Sequence, residues 1–136
     1  HMGDTVILIA AWLFGPIYGT LAAAIGSMLA DVFSGYIIYA PATFVIKGLV
    51  ALVAVLMFKA SKKFTRLNLL GYILSAVVAE LAMVAGYFAY EFILYGGGAV
   101  AAIPANMIQG GFAVVAAVLL IKLLSTNKTI KTHISN

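Results

Sequence analysis

Apolar residues run almost unbroken through this chain, and the few interruptions divide it into helical lengths. The run Val6 to Phe14 is stopped by Gly15-Pro16. Proline is pre-organised for the first turn of a helix, so this pair predicts a second helix starting at Pro16. That helix reaches Phe33 and closes at Ser34-Gly35. Tyr36 to Ala40 reads as a short aromatic connector, after which Pro41 opens a third helix continuing to Phe58. Lys59-Ala-Ser-Lys-Lys-Phe-Thr-Arg66 is the strongly polar segment inside the chain. A long apolar run from Leu67 to Tyr95 follows and is broken by Gly96-Gly97-Gly98. The last helix covers about Val100 to Leu124 with Pro104 at its start, and a polar tail, 125–136, ends the chain. The pattern predicts one domain at 3–124 with segments at about 6–14, 16–34, 41–59, 66–95 and 100–124. His1-Met2 reads as a cloning remnant outside it.

Composition fixes the solvent of these helices. Of 136 residues, 65% are hydrophobic and 9% charged. A soluble domain carries roughly 45–50% apolar and about 25% charged residues, so that class is excluded, and disorder with it. The longer segments approach the roughly 20 residues needed to cross a bilayer core of about 30 Å. The chain therefore reads as an all-α integral membrane protein. It has no cysteine, which excludes a disulfide framework and a thiolate metal site. There is no Ser/His/Asp set, no HExxH, no Walker A loop and no metal-ligand cluster. An enzyme is not expected, nor a cofactor or metal, and energy for any transport must come from a partner or an ion gradient.

The net charge of +4 is not a nucleic-acid signature, because the basic residues are few and flank the apolar runs. Lys59, Lys62, Lys63 and Arg66 share one loop, while Lys122, Lys128 and Lys131 lie at the C-terminus. The positive-inside rule makes both places cytoplasmic, and the two spans between them give consistent parity. Gly15-Pro16 is then cytoplasmic, whereas Asp4, the Tyr36–Ala40 connector and the triple glycine are outside. Five segments leave the N-terminus outside without an export signal, which leads to the expectation of a further helix ahead of Val6.

Ionisable groups inside spans cost about 2.5–3.5 kcal/mol each at the helix centre and usually face an interior or a cavity. Here they are Asp31, Lys47, Glu80 and Glu91. The orientation places Asp31, Lys47 and Glu91 in the same outer half, with Glu80 near mid-membrane. Ser27 with Asp31, and Thr43 with Lys47, are four apart and share a face. Glu80, Tyr87 and Glu91 fall on one stripe, and Asn106 and Gln109 are three apart beside Pro104. Together these predict a polar pocket open to the outside with walls from Tyr36, Tyr39 and Tyr87, suited to a small, flat, hydrogen-bonding molecule.

Plainer readings compete. Lys47 can form a structural ion pair with Asp31 or Glu91. Tyr36, Tyr39, Tyr90 and Tyr95 suit an interfacial belt, and Asn106 and Gln109 suit hydrogen bonds between helices. His133 is a lone tail histidine without a role, and the Asn127-Lys-Thr129 sequon is irrelevant in a cytoplasmic tail. Gly19, Ala23, Gly26 and Ala30 form a small-residue stripe, which serves either packing within the monomer or docking to another membrane protein.

The order Gly3-Asp4, Leu13-Phe-Gly-Pro-Ile-Tyr-Gly19, Gly26-Ser-Met-Leu-Ala-Asp31 and Gly35-Tyr36 resembles the substrate-binding S components of energy-coupling factor (ECF) vitamin transporters. Tyr39-Ala-Pro-Ala-Thr43, Ile46-Lys-Gly48 and Ile103-Pro-Ala-Asn106 with Gln109 continue the resemblance over essentially the whole chain. It implies a helical bundle matching helices 2–6 of the family's six, with the first absent. It also implies capture of a vitamin or precursor at the outer face of a prokaryotic plasma membrane. Uptake would require a shared transmembrane coupling subunit, two cytoplasmic ATPases and the surrounding lipid, with no nucleic acid. Carried over by position, the pocket comprises Asp4, the Tyr36–Thr43 region, Lys47, Glu91, Asn106 and Gln109. Pyridoxine, hydroxymethylpyrimidine, riboflavin and pantothenate are all compatible substrates. Two alternatives stand beside this reading: a small proton-coupled exporter using Glu80, and a structural membrane subunit without a ligand. With Lys47 in the pocket, Lys47→Ala is expected to abolish binding and leave the fold intact.

Overall fold

The computed structural model describes residues 2–62 and 68–127. His1, residues 63–67 with Lys63 and Arg66, and residues 128–136 with Lys128, Lys131 and His133 lie outside the described residues. Four α-helices follow in chain order: α1 (Gly3–Phe33), α2 (Ala40–Ser61), α3 (Asn68–Tyr95) and α4 (Ile103–Leu124). A 3-10 stretch, Gly96–Ala102, joins the last two. Among the described residues no strand occurs. Three runs, Gly3–Phe33, Ala40–Ser61 and Asn68–Leu124, are long and apolar enough to cross a membrane. The 22 residues of α2 extend about 33 Å at 1.5 Å per residue. The chain is an all-α membrane bundle.

Helix α1 is not a single rod. Gly15 has φ 77° and ψ −171°, a backbone region that is essentially closed to residues with a Cβ. A Cβ placed on Gly19 would lie 2.8 Å from the Ala11 Cα and 2.9 Å from the Ala10 carbonyl oxygen. Eight residues along a continuous helix are separated by about 12 Å. The arm after Pro16 therefore doubles back along the arm before Gly15, and Gly19 is where the two backbones touch.

Small side chains make up much of the bundle's interior, beside a few large ones such as Leu8, Met83 and Ile121. Ala11, Ala51, Ala54, Ala76, Ala79 and Ala113 are fully buried, whereas Ile17, Tyr18, Phe33, Ile93, Ile108 and Leu123 are among the most exposed residues. Lipid tails are as apolar as leucine, so burying leucine gains little there, and close backbone contact between small residues drives association instead. Of the small-residue stripe, Gly19 and Ala23 are buried in the bundle. Gly26 and Ala30 are exposed, and a Cβ on Gly26 would meet open space.

The helices close a ring in which α1 packs on α2 and α4, α2 on α3, and α3 on α4. An aromatic cluster fills the end near Gly15. Trp12 Nε1 donates to Ser75 Oγ at 3.2 Å, the Trp12 ring meets Tyr72 edge-on at 4.8 Å, and Tyr72 stacks on Phe58 at 4.2 Å. Lys59 and Lys62 sit at the same end, where α2 finishes. The opposite end collects both termini of α1, the start of α2, the end of α3 and the start of α4.

Candidate functional site

At that opposite end the bundle opens into a cavity of about 330 Å³ lined by Asp31, Tyr36, Tyr39, Thr43, Tyr87, Glu91, Asn106 and Gln109. Each helix contributes. Asp31 comes from the end of α1, and Tyr36 and Tyr39 from the connector. Thr43 belongs to the first turn of α2, Tyr87 and Glu91 to the last third of α3, and Asn106 and Gln109 to the start of α4. Helical spacing brings the pairs to one wall: Tyr87 and Glu91 are four apart, and Asn106 and Gln109 three apart.

Asp4 and Lys47 are not in the wall. They lie beneath it, with Lys47 Nζ 2.5 Å from Asp4 Oδ1 and their side chains 4% and 0% exposed. The competing reading of Lys47 as half of a structural ion pair named Asp31 or Glu91 as its partner; the partner is Asp4. The first arm of α1 lays Asp4 against the second turn of α2, a contact that depends on the reversal at Gly15. Two charges removed from water need each other's field and further hydrogen bonds. Gln109 Nε2 supplies one by donating to Asp4 Oδ2. Lys47 Nζ also sits 5.1 Å from the centre of the Tyr87 ring, within the range of a cation–π contact. The Tyr87 hydroxyl in turn shares a 3.0 Å hydrogen bond with Thr43 Oγ1. Asp4, Lys47, Tyr87, Thr43 and Gln109 therefore form a connected floor that ties all four helices together.

The rim is aromatic. Tyr39 meets Tyr90 edge-on at 5.7 Å and lies 3.5 Å, hydroxyl to hydroxyl, from Tyr95. That contact with Tyr95, then burial and the nearby Glu91 carboxylate, push the Tyr39 phenol above its ordinary pKa. The Tyr90 hydroxyl donates to the Ile38 carbonyl, fastening the connector to α3. Of the residues read as an interfacial belt, Tyr39, Tyr90 and Tyr95 therefore make specific contacts, although Tyr95, like Tyr36, is largely exposed. The fastening role of Tyr90 had no signal in the sequence beyond its position near an interface.

Two features define what the cavity offers a guest. The Oε2 atom of Glu91 is buried without a hydrogen-bond partner. Gln109 has committed one N–H to Asp4, which leaves its other N–H and its carbonyl oxygen for a ligand. Glu80 is elsewhere. It is 4% exposed, neither of its carboxyl oxygens has a partner, and it faces a separate void of about 150 Å³ between α3 and α4, walled by Val77, Met107, Gly110 and Val114.

Fold and cavity together define a multi-pass membrane protein with a ligand-sized, aromatic-walled pocket at one face of the bundle. A family model described as "ECF-type riboflavin transporter, S component" matches residues 1–126, and the chain belongs to that family. It is accordingly a substrate-binding transporter subunit of the cell membrane, not an enzyme. A relative from Pyrococcus woesei, described as "Uncharacterized protein in gap 3'region", is 40% identical over 110 residues, covering 80% of this chain and 70% of the relative. No solved structure matches.

Proposed function

We propose that this subunit captures riboflavin from the outer face of the membrane for uptake driven by a shared transmembrane coupling subunit and two ATPases. The observation that carries the reading is the cavity. It combines three tyrosines with two carboxylates, two amides and a hydroxyl, which matches a ligand with a flat heteroaromatic ring and a hydroxylated chain. The ring packs against the tyrosines, its carbonyl and imide groups exchange hydrogen bonds with Asn106 and Gln109, and the chain hydroxyls donate to Asp31 and Glu91. The description of the matching family favours riboflavin among the vitamins compatible with the sequence. The described lysines at helix ends, Lys59, Lys62 and Lys122, lie away from the cavity, which by the positive-inside rule turns its mouth outward.

Asp4 and Lys47 act in this scheme as positioning residues. They hold Gln109 and Tyr87 in place rather than touching the ligand. Gly26 and Ala30, exposed on α1, present a narrow face on which the coupling subunit can dock closely, while Gly19 and Ala23 serve the fold.

A thermal-shift panel of water-soluble vitamins on the detergent-purified protein tests the assignment. Binding to the native state alone stabilises by RT ln(1 + [L]/Kd), about 2.7 kcal/mol at a hundredfold excess over Kd. Riboflavin should raise the melting temperature, and pyridoxine, hydroxymethylpyrimidine and pantothenate should not. A shift with one of those three and none with riboflavin would refute the riboflavin assignment.

A further inference from the structure

The charge of the cavity adds a rule of selection to the binding reading, on which this inference rests. Among the described residues the basic ones are Lys47, Lys59, Lys62 and Lys122. Lys59 lies in the last turn of α2 with Lys62 just beyond it, and Lys122 lies in the last turn of α4, at the end of the bundle away from the cavity. Lys47 is nearest, but its charge is matched by Asp4 at 2.5 Å and it is buried below the wall. The charged groups of the wall are therefore Asp31 and Glu91, both negative. One oxygen of Glu91 is buried without a donor. A guest thus meets two carboxylates, one with a buried oxygen that has no hydrogen-bond donor, and no described cation lies free to neutralise an anion.

We propose that Asp31 and Glu91 make this cavity a charge filter, which accepts a flavin whose side chain ends in a hydroxyl or an ammonium group and rejects its phosphate ester. The physical basis is like-charge repulsion in a partly desolvated site. Two unit charges interact several times more strongly there than in water, and placing unpaired like charges against the wrong ligand is a direct route to specificity. Hydroxyl and ammonium groups instead donate to carboxylates, and can supply the donor that the buried Glu91 oxygen lacks. The filter acts on the phosphorylation state of the vitamin: free riboflavin enters, and its phosphate ester stays out.

Titrations of the detergent-purified protein with riboflavin, riboflavin 5′-phosphate and 5′-amino-5′-deoxyriboflavin, followed by flavin fluorescence, test this. The phosphate should bind about a hundredfold more weakly than riboflavin, and the amine at least as tightly. The riboflavin-to-phosphate affinity ratio should fall about tenfold in Asp31→Asn and again in the double variant with Glu91→Gln, each checked for an unchanged elution profile. Raising the salt should shrink the ratio in the unaltered protein. Equal affinities for riboflavin and its phosphate in the unaltered protein would overturn the filter while leaving the riboflavin site standing. A ratio unmoved in the double variant would remove these two residues as its cause. Absence of binding by all three flavins would overturn the site reading itself, and the filter with it.

Discussion

Lys47 shows how one residue's role turns on its partner. As a cation free in a pocket it would anchor an anionic group, and its removal would abolish binding without disturbing the fold. Paired with Asp4 at 2.5 Å, it is a structural element, and removing it leaves an uncompensated buried carboxylate. Lys47→Met should therefore destabilise the protein by about 3–5 kcal/mol. The double variant Asp4→Asn with Lys47→Met should recover most of that loss, as read from melting temperatures in detergent. Equal losses in the single and double variants would show that the pair is not coupled. Glu80 offers the converse case, a buried carboxyl with two unpartnered oxygens. Glu80→Met should raise stability by about 1–3 kcal/mol, because a buried unsatisfied polar group is removed. Riboflavin affinity should stay within about twofold of the original, since Glu80 is not part of the cavity wall. A large loss of uptake in that variant would revive the proton-coupled reading of this residue.

That certain residues share one cavity was legible in the sequence for a clear reason. Asp31, Glu91, Asn106 and Gln109 interrupt apolar helices, and any polar group in a span must find a cavity or a partner. Their spacing then says which face they share. Asp4 as the counter-ion of Lys47 was not legible. It lies 43 positions away in sequence, near a helix terminus where a charge needs no special explanation, and only the folded-back arm carries it to α2.

At the scale of the element, the reversal in α1 is the feature on which the rest depends. Gly15 and Gly19 make it possible for different reasons, one by its backbone angles and the other by contact. Gly15→Ala should lose about 1–3 kcal/mol, because φ 77° with ψ −171° is strained for any residue with a Cβ. Gly19→Ala should lose a similar amount, about 1–3 kcal/mol by overpacking, since its Cβ would press on backbone atoms of Ala10 and Ala11. Gly26→Ala has open space and should leave the melting temperature unchanged or slightly raised, in keeping with the higher helix propensity of alanine. Three equal melting temperatures would contradict the hairpin packing. The Gly15-Pro16 pair is visible in the sequence as a helix break, yet a break alone does not say how far the chain turns. The small-residue stripe likewise reads as a contact face, but its division into a buried half and an exposed half depends on which neighbours surround it.

At the scale of the whole molecule, hydropathy announces a helical membrane bundle at once, because no soluble chain is this apolar. The same uniformity hides the packing. Many leucines and isoleucines face outward while others, such as Leu8 and Ile121, are fully buried, so hydrophobicity does not separate inside from outside. What distinguishes the two ends of the bundle is chemistry: aromatic packing around Trp12, Tyr72 and Phe58 at one, a carboxylate- and amide-lined cavity over a buried ion pair at the other. That asymmetry, together with the lysines away from the cavity, is what a membrane receptor for a polar solute requires.

The most direct test is a structure of the protein bound to riboflavin. The flavin should occupy the cavity between Tyr36, Tyr39 and Tyr87, with Asn106 and Gln109 at its ring, its chain hydroxyls within hydrogen-bond distance of Asp31 or Glu91, and the Asp4–Lys47 pair intact beneath it. A flavin lodged instead in the void beside Glu80, or a ligand contact made by Lys47 after release from Asp4, would contradict that assignment.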